Sequence, residues 1–568
     1  MIVNIKVNNQ EIIARKGDTI LSVLKQNGIT IPTLCFMYDL DPVGACRICV
    51  VEIEGKQLLV PACSHPVEEW MSIYTHSEKV IKARKSIVEL LLANHPDDCL
   101  YCEKNSKCEL QKLASELNIR DRKYPTRNII NKIDKTSIAI VKEKNKCILC
   151  GRCVRVCEEI VGVAAFDFAF KGNVSSVSTP FDKTMSISNC VYCGQCTMVC
   201  PTGALYEKSH IDIVNNALKN PKIYNVAQFS PTLTLAIMQQ FGIKNFNDAN
   251  SVIINTLKKI GFKKVFNTSL GNDILTELIS KEVIEQLESK KTLFSSCCSS
   301  WVKYAEQNTN IDINDLVPFK SSNRILGSLI KRYFSKQNNI VPENIFNVYI
   351  APCPAKKNEI IQDDNNSLIK DTDAVLTLRE FIKLVNLYGI EMKISEHYYF
   401  DIPFDSNSSS SLIQQIGGGI AEAVAKNVYY KYTGNELKKI NIGKDKNFKH
   451  IKQFSILIQN EEIRFASVSS FIHLEKLLSD IKQNGHHINF IEVMACTEGC
   501  INGGGNPIIR ENIDIKSKAL IDFEEKEKLK LPSKNPSLIS LNENFIDLLN
   551  KEERESIFHN SFLNKNNL

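Results

Sequence analysis

Residues 147–157 read CILCGRCVRVC, and residues 190–201 read CVYCGQCTMVCP. Both runs place cysteines at Cys-x2-Cys-x2-Cys-x3-Cys, and the second closes on Cys200-Pro201. Three closely spaced thiolates grip one 4Fe–4S cubane, while the fourth reaches across to a neighbouring cubane. The spacing therefore predicts a small two-cluster domain over residues 127–209. Cys147, Cys150, Cys153 and Cys200 would hold one cluster, and Cys190, Cys193, Cys196 and Cys157 the other. A zinc ribbon is the rival for paired cysteines, but it does not require a doubled four-cysteine run ending in Cys-Pro. The two runs are the only internal repeat found in the chain.

This run resembles that of the bacterial two-cluster ferredoxins, and cysteines upstream extend the pattern. Residues 1–78 read as a small β-rich domain: MIVNIKV and QEIIARK as a hairpin, DTILSVLKQNG as a short helix closed by Gly28, and ICVVEIEGKQLLVPAC as further strands. Within it Cys35-x10-Cys46-x2-Cys49-x13-Cys63 resembles the plant-type ferredoxin loop around a 2Fe–2S cluster, with a longer first gap and a shorter last one. Residues 79–126 begin with SEKVIKARKSIVELLLANH, apolar at helical intervals, and continue with His95-x3-Cys99-x2-Cys102-x5-Cys108. Three thiolates and one imidazole suit either a 4Fe–4S cubane or zinc, and spacing leaves both open. The basic stretch RDRKYPTRN then reads as a linker.

Composition sets the frame. The chain has 568 residues, 20 of them cysteine, with 43% hydrophobic and 24% charged residues. Those proportions are ordinary for a globular protein long enough for several domains. No apolar run approaches the ~18 residues of a membrane span. The N-terminus alternates like a strand and lacks a signal-peptide core, which predicts a cytoplasmic protein. Disulfides are rare in that compartment, so the cysteines point to metal and redox chemistry. The formal charge of +6 is mild, compatible with an acidic partner, and no nucleic-acid motif is present.

From residue 210 to 568 the pattern changes to buried strands alternating with amphipathic helices, which predicts an α/β domain. KIYNVAQF, KVFNTS, FNVYIAPC and INFIEVMAC are the strand candidates, while DIPFDSNSSSSL and KKINIGKDKNFKH read as surface loops. The last five cysteines lie here, in FSSCCSSW, APCPAKKNE and EVMACTEGCINGGGNP: Cys297, Cys298, Cys353, Cys496 and Cys500. Each stretch follows a predicted strand, where open α/β sheets place their ligands. Four thiolates would hold one more cubane, leaving a fifth over.

These three stretches resemble the active-site signatures of the FeFe hydrogenases, TSCCPxW, MPCxAKKxE and EVMACxGGCxxGGG. The order of the upstream modules resembles the large monomeric clostridial type, and the likeness extends to LPSKNPSLISL near the C-terminus. The resemblance implies an α+β multidomain protein: a β-grasp 2Fe–2S domain, a His/Cys cluster domain, a two-cluster ferredoxin-like domain and a two-lobed catalytic domain. It implies a 4Fe–4S cubane joined to a diiron unit carrying carbonyl, cyanide and azadithiolate ligands, delivered by maturation proteins. Cys298, Cys353, Cys496 and Cys500 match the ligands, with Cys500 bridging to the diiron unit, and Cys297 matches the thiol that passes protons. The resemblance also gives His95 a 4Fe–4S cluster, so 19 cysteines and one histidine hold clusters. Lys356 would face a cyanide, Ser230, Pro231 and Thr232 would line the diiron unit, and Met494 stands in the third motif. The implied reaction is the interconversion of dihydrogen with protons and electrons, the electrons going to a ferredoxin or similar carrier.

The chain also departs from the pattern. Ala351 stands where methionine is usual, Pro354 replaces a small polar residue, Ser299-Ser300 replaces Pro-Gly or Pro-Ala, and Thr497-Glu498 replaces Pro-Gly. The usual proton relay runs from the thiol through a glutamate, a serine and an outer glutamate. Glu282 fits the outer one, but Ile279 and Val317 fall at the other two, and an aliphatic side chain carries no proton. The alternative reading is a regulatory protein that binds the same cofactor and senses dihydrogen. The presence of Cys297 and the lack of a recognisable signalling domain favour the enzyme.

Overall fold

The computed structural model describes residues 1–125, 131–308, 310–364, 369–394, 396–437, 440, 443–444, 450–485, 487–507 and 513–562. The chain folds as two compact units. One comprises Met1–Ile160, Ala164–Ser188 and Cys196–Tyr206; the other comprises Val161–Val163, Asn189–Gln195 and the chain from Glu207 onward.

The first unit opens with a five-stranded mixed sheet in the order Gln10–Arg15, Ile2–Val7, Ser72–Tyr74, Val50–Ile53, Val60–Pro61. Strand Ile2–Val7 buries Val3, Ile5 and Val7 and exposes the residues between, the two-residue period of a half-buried strand. Its hairpin turns on Asn8 and Asn9, both at positive φ (47° and 71°), the conformation that matches strand twist in a two-residue turn. Helix Ile20–Gln26, capped by Thr19, packs its buried face on this sheet. Helix Glu78–Ala93 follows, capped by Ser77. Its buried Arg84 donates to the carbonyls of Ile48 (3.1 Å) and Val50 (2.8 Å), fastening the helix to the loop that carries Cys46 and Cys49. Arg155 donates to the carbonyls of Cys35 (2.5 Å) and Asp41 (2.7 Å), tying the two-cluster segment to the same loop.

The second unit is built on two sheets. A four-stranded parallel sheet runs Lys264–Asn267, Tyr224–Phe229, Ile345–Ala351, Ala374–Thr377. A five-stranded sheet runs Leu293–Phe294, Phe490–Met494, Glu461–Ser469, Ile451–Ile458, Gly443–Lys444, with its first three strands parallel. The parallel strands are buried on both faces and mainly apolar, as covered parallel sheets require, with Asn225, Gln228, Asn347 and Glu492 as buried polar exceptions.

One expectation is corrected. The stretch DIPFDSNSSSSL is not a surface loop, because Phe404 and Ser408 through Ser411 are buried. Its serines are satisfied internally: Asp273 accepts from the Ser408 amide (2.7 Å) and hydroxyl, and Asn535 donates to Asp273 (2.8 Å). Burial without that network would be costly. Of KKINIGKDKNFKH, residues 438–439, 441–442 and 445–449 lie outside the described residues, and Gly443–Lys444 is a strand.

Candidate active site

None of the 20 cysteines is joined in a disulfide. In the first unit Cys147, Cys150, Cys153 and Cys200 line one cavity of about 980 Å³. Cys35 and Cys46 are hydrogen-bonded neighbours, as are Cys49 and Cys63. Cys99, Cys102 and Cys108 lie within electrostatic reach of one another. His95 is buried just beyond the helix Glu78–Ala93, and its carbonyl accepts from Arg122 (2.9 Å). Burial holds its imidazole below the usual range, hence neutral, and its Nδ1 has no hydrogen-bond partner. Cys190 and Cys193 sit with the second unit, Cys157 and Cys196 with the first.

The cysteine loops share a backbone device. Arg47, Leu149 and Tyr192, inside three Cys-x2-Cys turns, have left-handed φ of 59°, 55° and 59°. That conformation costs a non-glycine residue roughly 1–2 kcal/mol. In return, amides point at sulfur: Leu149 N–H at Cys147 (3.5 Å), Tyr192 N–H at Cys190 (3.4 Å), Ala165 N–H at Cys157 (3.3 Å) and Cys35 N–H at Cys46 (3.4 Å). Such concavities of amides stabilise anionic sulfur. Among the described residues, no three His, Cys, Asp or Glu side chains converge tightly enough to cage a single ion. The unbridged cysteines, the cavity that four of them line, the amides and the orphaned imidazole nitrogen fit iron–sulfur groups.

In the second unit, five cysteines gather beyond the carboxyl ends of three strands. Leu293–Phe294 leads to Cys297 and Cys298, Ile345–Ala351 to Cys353, and Phe490–Met494 to Cys496 and Cys500. Burial, reinforced by Cys298 and Cys496, pushes the Cys353 thiol up to about 12. Cys500 is raised by burial and by all four of the others, which lie within electrostatic reach of it. Glycines let backbone close in around it. A side chain on Gly503 would meet the Pro352 carbonyl at 2.5 Å, and one on Gly504 would meet the Cys193 carbonyl at 2.2 Å.

Polar groups surround the thiols. Lys356 is buried, and its ammonium donates to Glu359 Oε1 (2.7 Å) and to the Cys297 carbonyl (3.1 Å). Burial lowers this lysine, but Glu359 and Cys297 outweigh burial and hold it at about 12, permanently charged. Ser230 caps helix Pro231–Phe241; its hydroxyl lies 2.8 Å from that of Thr232 and donates to Gln415 (2.8 Å). Met494 is buried within the apolar core at the end of its strand.

Comparison with known proteins places this geometry. Residues 223–504 match the family described as iron only hydrogenase large subunit, C-terminal domain. Upstream, residues 1–78 match a 2Fe-2S iron-sulfur cluster binding domain, residues 84–123 the NADH-ubiquinone oxidoreductase-G iron-sulfur binding region, and residues 146–204 a 4Fe-4S dicluster domain. Iron hydrogenase 1 of Clostridium pasteurianum is 30% identical over 97% of this chain and 98% of its own length. The chain belongs to the iron-only hydrogenase family. The NADP-reducing hydrogenase subunit HndD of Solidesulfovibrio fructosivorans is 29% identical over 97% of both chains. A solved apo FeFe hydrogenase from Chlamydomonas reinhardtii superimposes with a TM-score of 0.56 at 22% identity, covering 63% of this chain and 99% of the other, a likeness of fold.

This hydrogenase family member thus carries 2Fe–2S and 4Fe–4S domains ahead of its hydrogenase domain. Among the described residues, no helix is long and apolar enough to cross a membrane. Ile279 and Val317 are both 0% exposed and lie in the core cluster against which Cys297 packs. Glu282 lines a separate surface pocket with Leu293, Pro318 and Asn560.

Sequence reasoning missed several partners. Glu359 stands one helical turn after Lys356, and that i, i+3 spacing of opposite charges could have signalled the pair. Gln195 donates to the Cys496 sulfur (3.3 Å) and the Asn502 carbonyl (2.7 Å), and nothing in its sequence surroundings announces that. Tyr349 is buried within the electrostatic reach of Cys500, Cys353 and Cys297, on the same strand face as Ala351.

Proposed function

We propose that this chain is a cytoplasmic enzyme that interconverts dihydrogen with protons and electrons, and that its accessory clusters pass electrons to an acidic ferredoxin-type carrier. One observation carries the reading: five half-buried thiols gather beyond the carboxyl ends of three strands, one more than a cubane requires. Cys298, Cys353, Cys496 and Cys500 would hold the cubane, with Cys500 bridging to a diiron unit placed by maturation proteins. When bound, that unit supplies the metal centre at which the H–H bond is made or broken. Lys356, anchored by Glu359, presents donors suited to a terminal cyanide. The hydroxyls of Ser230 and Thr232 offer further polar contacts at a helix N-terminus. Cys297 keeps its proton when its neighbour does not, and a free thiol exchanges that proton where a ligating thiolate cannot.

The remaining ligand sets would hold one 2Fe–2S cluster (Cys35, Cys46, Cys49, Cys63) and three 4Fe–4S clusters. These are His95 with Cys99, Cys102 and Cys108; Cys147, Cys150, Cys153 and Cys200; and Cys190, Cys193, Cys196 and Cys157. They divide the chain at 1–78, 79–126, 127–209 and 210–568, and the protein works as a monomer. The second reading, a dihydrogen sensor, is favoured by the aliphatic wall at Ile279 and Val317, which suits slow turnover. Dihydrogen evolution from reduced methyl viologen by the matured chain tests the choice. Sustained turnover supports the enzyme. Occupied sites with only a few turnovers support the sensor.

A further inference from the structure

The expected relay lacks its inner carriers. Ile279 and Val317, which stand at its two inner positions, are fully buried in one apolar cluster with Leu293, and neither side chain can hand a proton on. A second set of groups is continuous and polar. Glu359 is buried, and its two carboxylate oxygens face different ways. Oε1 accepts from Lys356 (2.7 Å) and Ser299 (2.5 Å), while Oε2 accepts from Ser321 (2.9 Å) and Asn323 (3.0 Å).

We infer that protons reach Cys297 through Glu359, the Ser299 and Ser321 hydroxyls and a one-water cavity opening past Asn560, around Ile279 and Val317. This rests on the reading that Cys297 passes protons at the cofactor. Four observations support it. The Lys356 ammonium joins Glu359 Oε1 (2.7 Å) to the Cys297 carbonyl (3.1 Å), so the inner end of the chain is beside Cys297. Ser321 has two acceptors within reach, Glu359 Oε2 and Asn323 Oδ1 (3.1 Å), but only one proton, so its hydroxyl can turn between them. Ser299, Ser321, Glu359 and Asn560 line a cavity of about 10 Å³, near the minimum that holds one water and with polar partners for it. Asn560 also lines the surface pocket that contains Glu282, so the cavity adjoins an outlet already supplied with a carboxylate. Ser299 is moreover one of the departures from the usual motif: the proline expected there has no hydroxyl.

The route moves protons and no electrons. An inbound proton binds a lone pair of the water or hydroxyl as that group releases its own proton inward. Glu359 takes it on Oε2, the carboxyl turns so that this O–H faces inward, the proton leaves that same oxygen toward Cys297, and each group then rotates back. Asn560 does not titrate; it orients the water.

The test uses matured full-length protein carrying Ser321→Ala, Asn560→Leu or Glu359→Gln, with infrared carbonyl and cyanide bands reporting whether the diiron unit is in place. Both Ser321→Ala and Asn560→Leu keep the Lys356–Glu359 pair, the serine change removing one hydrogen bond from Oε2, the oxygen that Lys356 does not use. Both should cut dihydrogen evolution on the order of 10²-fold, as losing a positioned proton-transfer group does, with bands at wild-type positions. The solvent deuterium isotope effect should rise in both. A protonated-carboxyl band that shifts in D2O should appear when the wild type is reduced and vanish in Glu359→Gln, which a purely structural role would not produce. Near-wild-type rates in Ser321→Ala and Asn560→Leu with intact bands overturn the route while the hydrogenase reading stands. A matured wild type without carbonyl and cyanide bands would instead defeat the reading beneath it.

Discussion

The loop that carries Cys500 depends on one arginine. Arg379 donates to both oxygens of Glu207 (3.0 and 2.9 Å) and to the carbonyls of Gly504 (2.7 Å) and Asn506 (2.8 Å). Burial pushes the Glu207 carboxyl up, but the charge and hydrogen bonds of Arg379 outweigh it and hold the group at about 2. Relative to an ordinary glutamate at 4.5, that depression corresponds to roughly 3 kcal/mol at neutral pH. Because the folded-state value is lowered, this stability is present above about pH 4.5 and fades as pH falls toward 2. Arg379→Met removes the partner and leaves a buried carboxylate, a loss of about 3–5 kcal/mol. The lone Glu207 is then raised by burial, so the variant loses stability as pH rises and the gap from wild type widens between pH 4 and 7. Urea unfolding followed by tryptophan emission reads this unit, since Trp301 is 0% exposed within it whereas Trp70 is 78% exposed. With a slope of about 3 kcal/mol/M, the midpoint should fall by about 1 M or more at pH 7. A midpoint unchanged at pH 7, or a gap that narrows from pH 4 to 7, would refute the reasoning.

Two further outcomes follow from the ligand sets. Anaerobically purified protein made without the diiron maturation machinery should hold its 2Fe–2S and 4Fe–4S clusters by iron analysis and paramagnetic resonance, yet evolve no dihydrogen and show no carbonyl or cyanide bands. His95→Cys should keep its cluster and lower the potential, because a thiolate adds charge where neutral imidazole stood, and a redox titration checks this; zinc found in that module would remove its electron-transfer role.

The cysteine modules were legible because metal ligation is written in short spacings. The runs at 147–157 and 190–201 are local, and the loop backbone around them follows from the need to aim amides at sulfur. The hydrogenase lobes were legible through strands that end in cysteine motifs. What escaped depends on residues far apart in the chain. The serines at 408–411 looked exposed because the carboxylate that receives Ser408, Asp273, and the Asn535 that braces it lie more than a hundred residues away on either side. Glu359 drew no reading from the sequence, because Ser299 and Ser321, which enclose it with Lys356, stand 60 and 38 residues away. Ile279 and Val317 are aliphatic by sequence, but only the fold shows that they share one apolar cluster with Leu293.

The central claim is that one of the paired cysteines is a ligand and the other a proton carrier. Cys297→Ala in matured protein tests it directly, with dihydrogen oxidation and evolution measured beside infrared spectra. The account predicts carbonyl and cyanide bands showing a fully occupied site, since Cys298, Cys353, Cys496 and Cys500 keep every attachment, and turnover reduced on the order of 10²-fold or more. Near-normal rates at full occupancy would contradict it and leave Cys297 a packing residue.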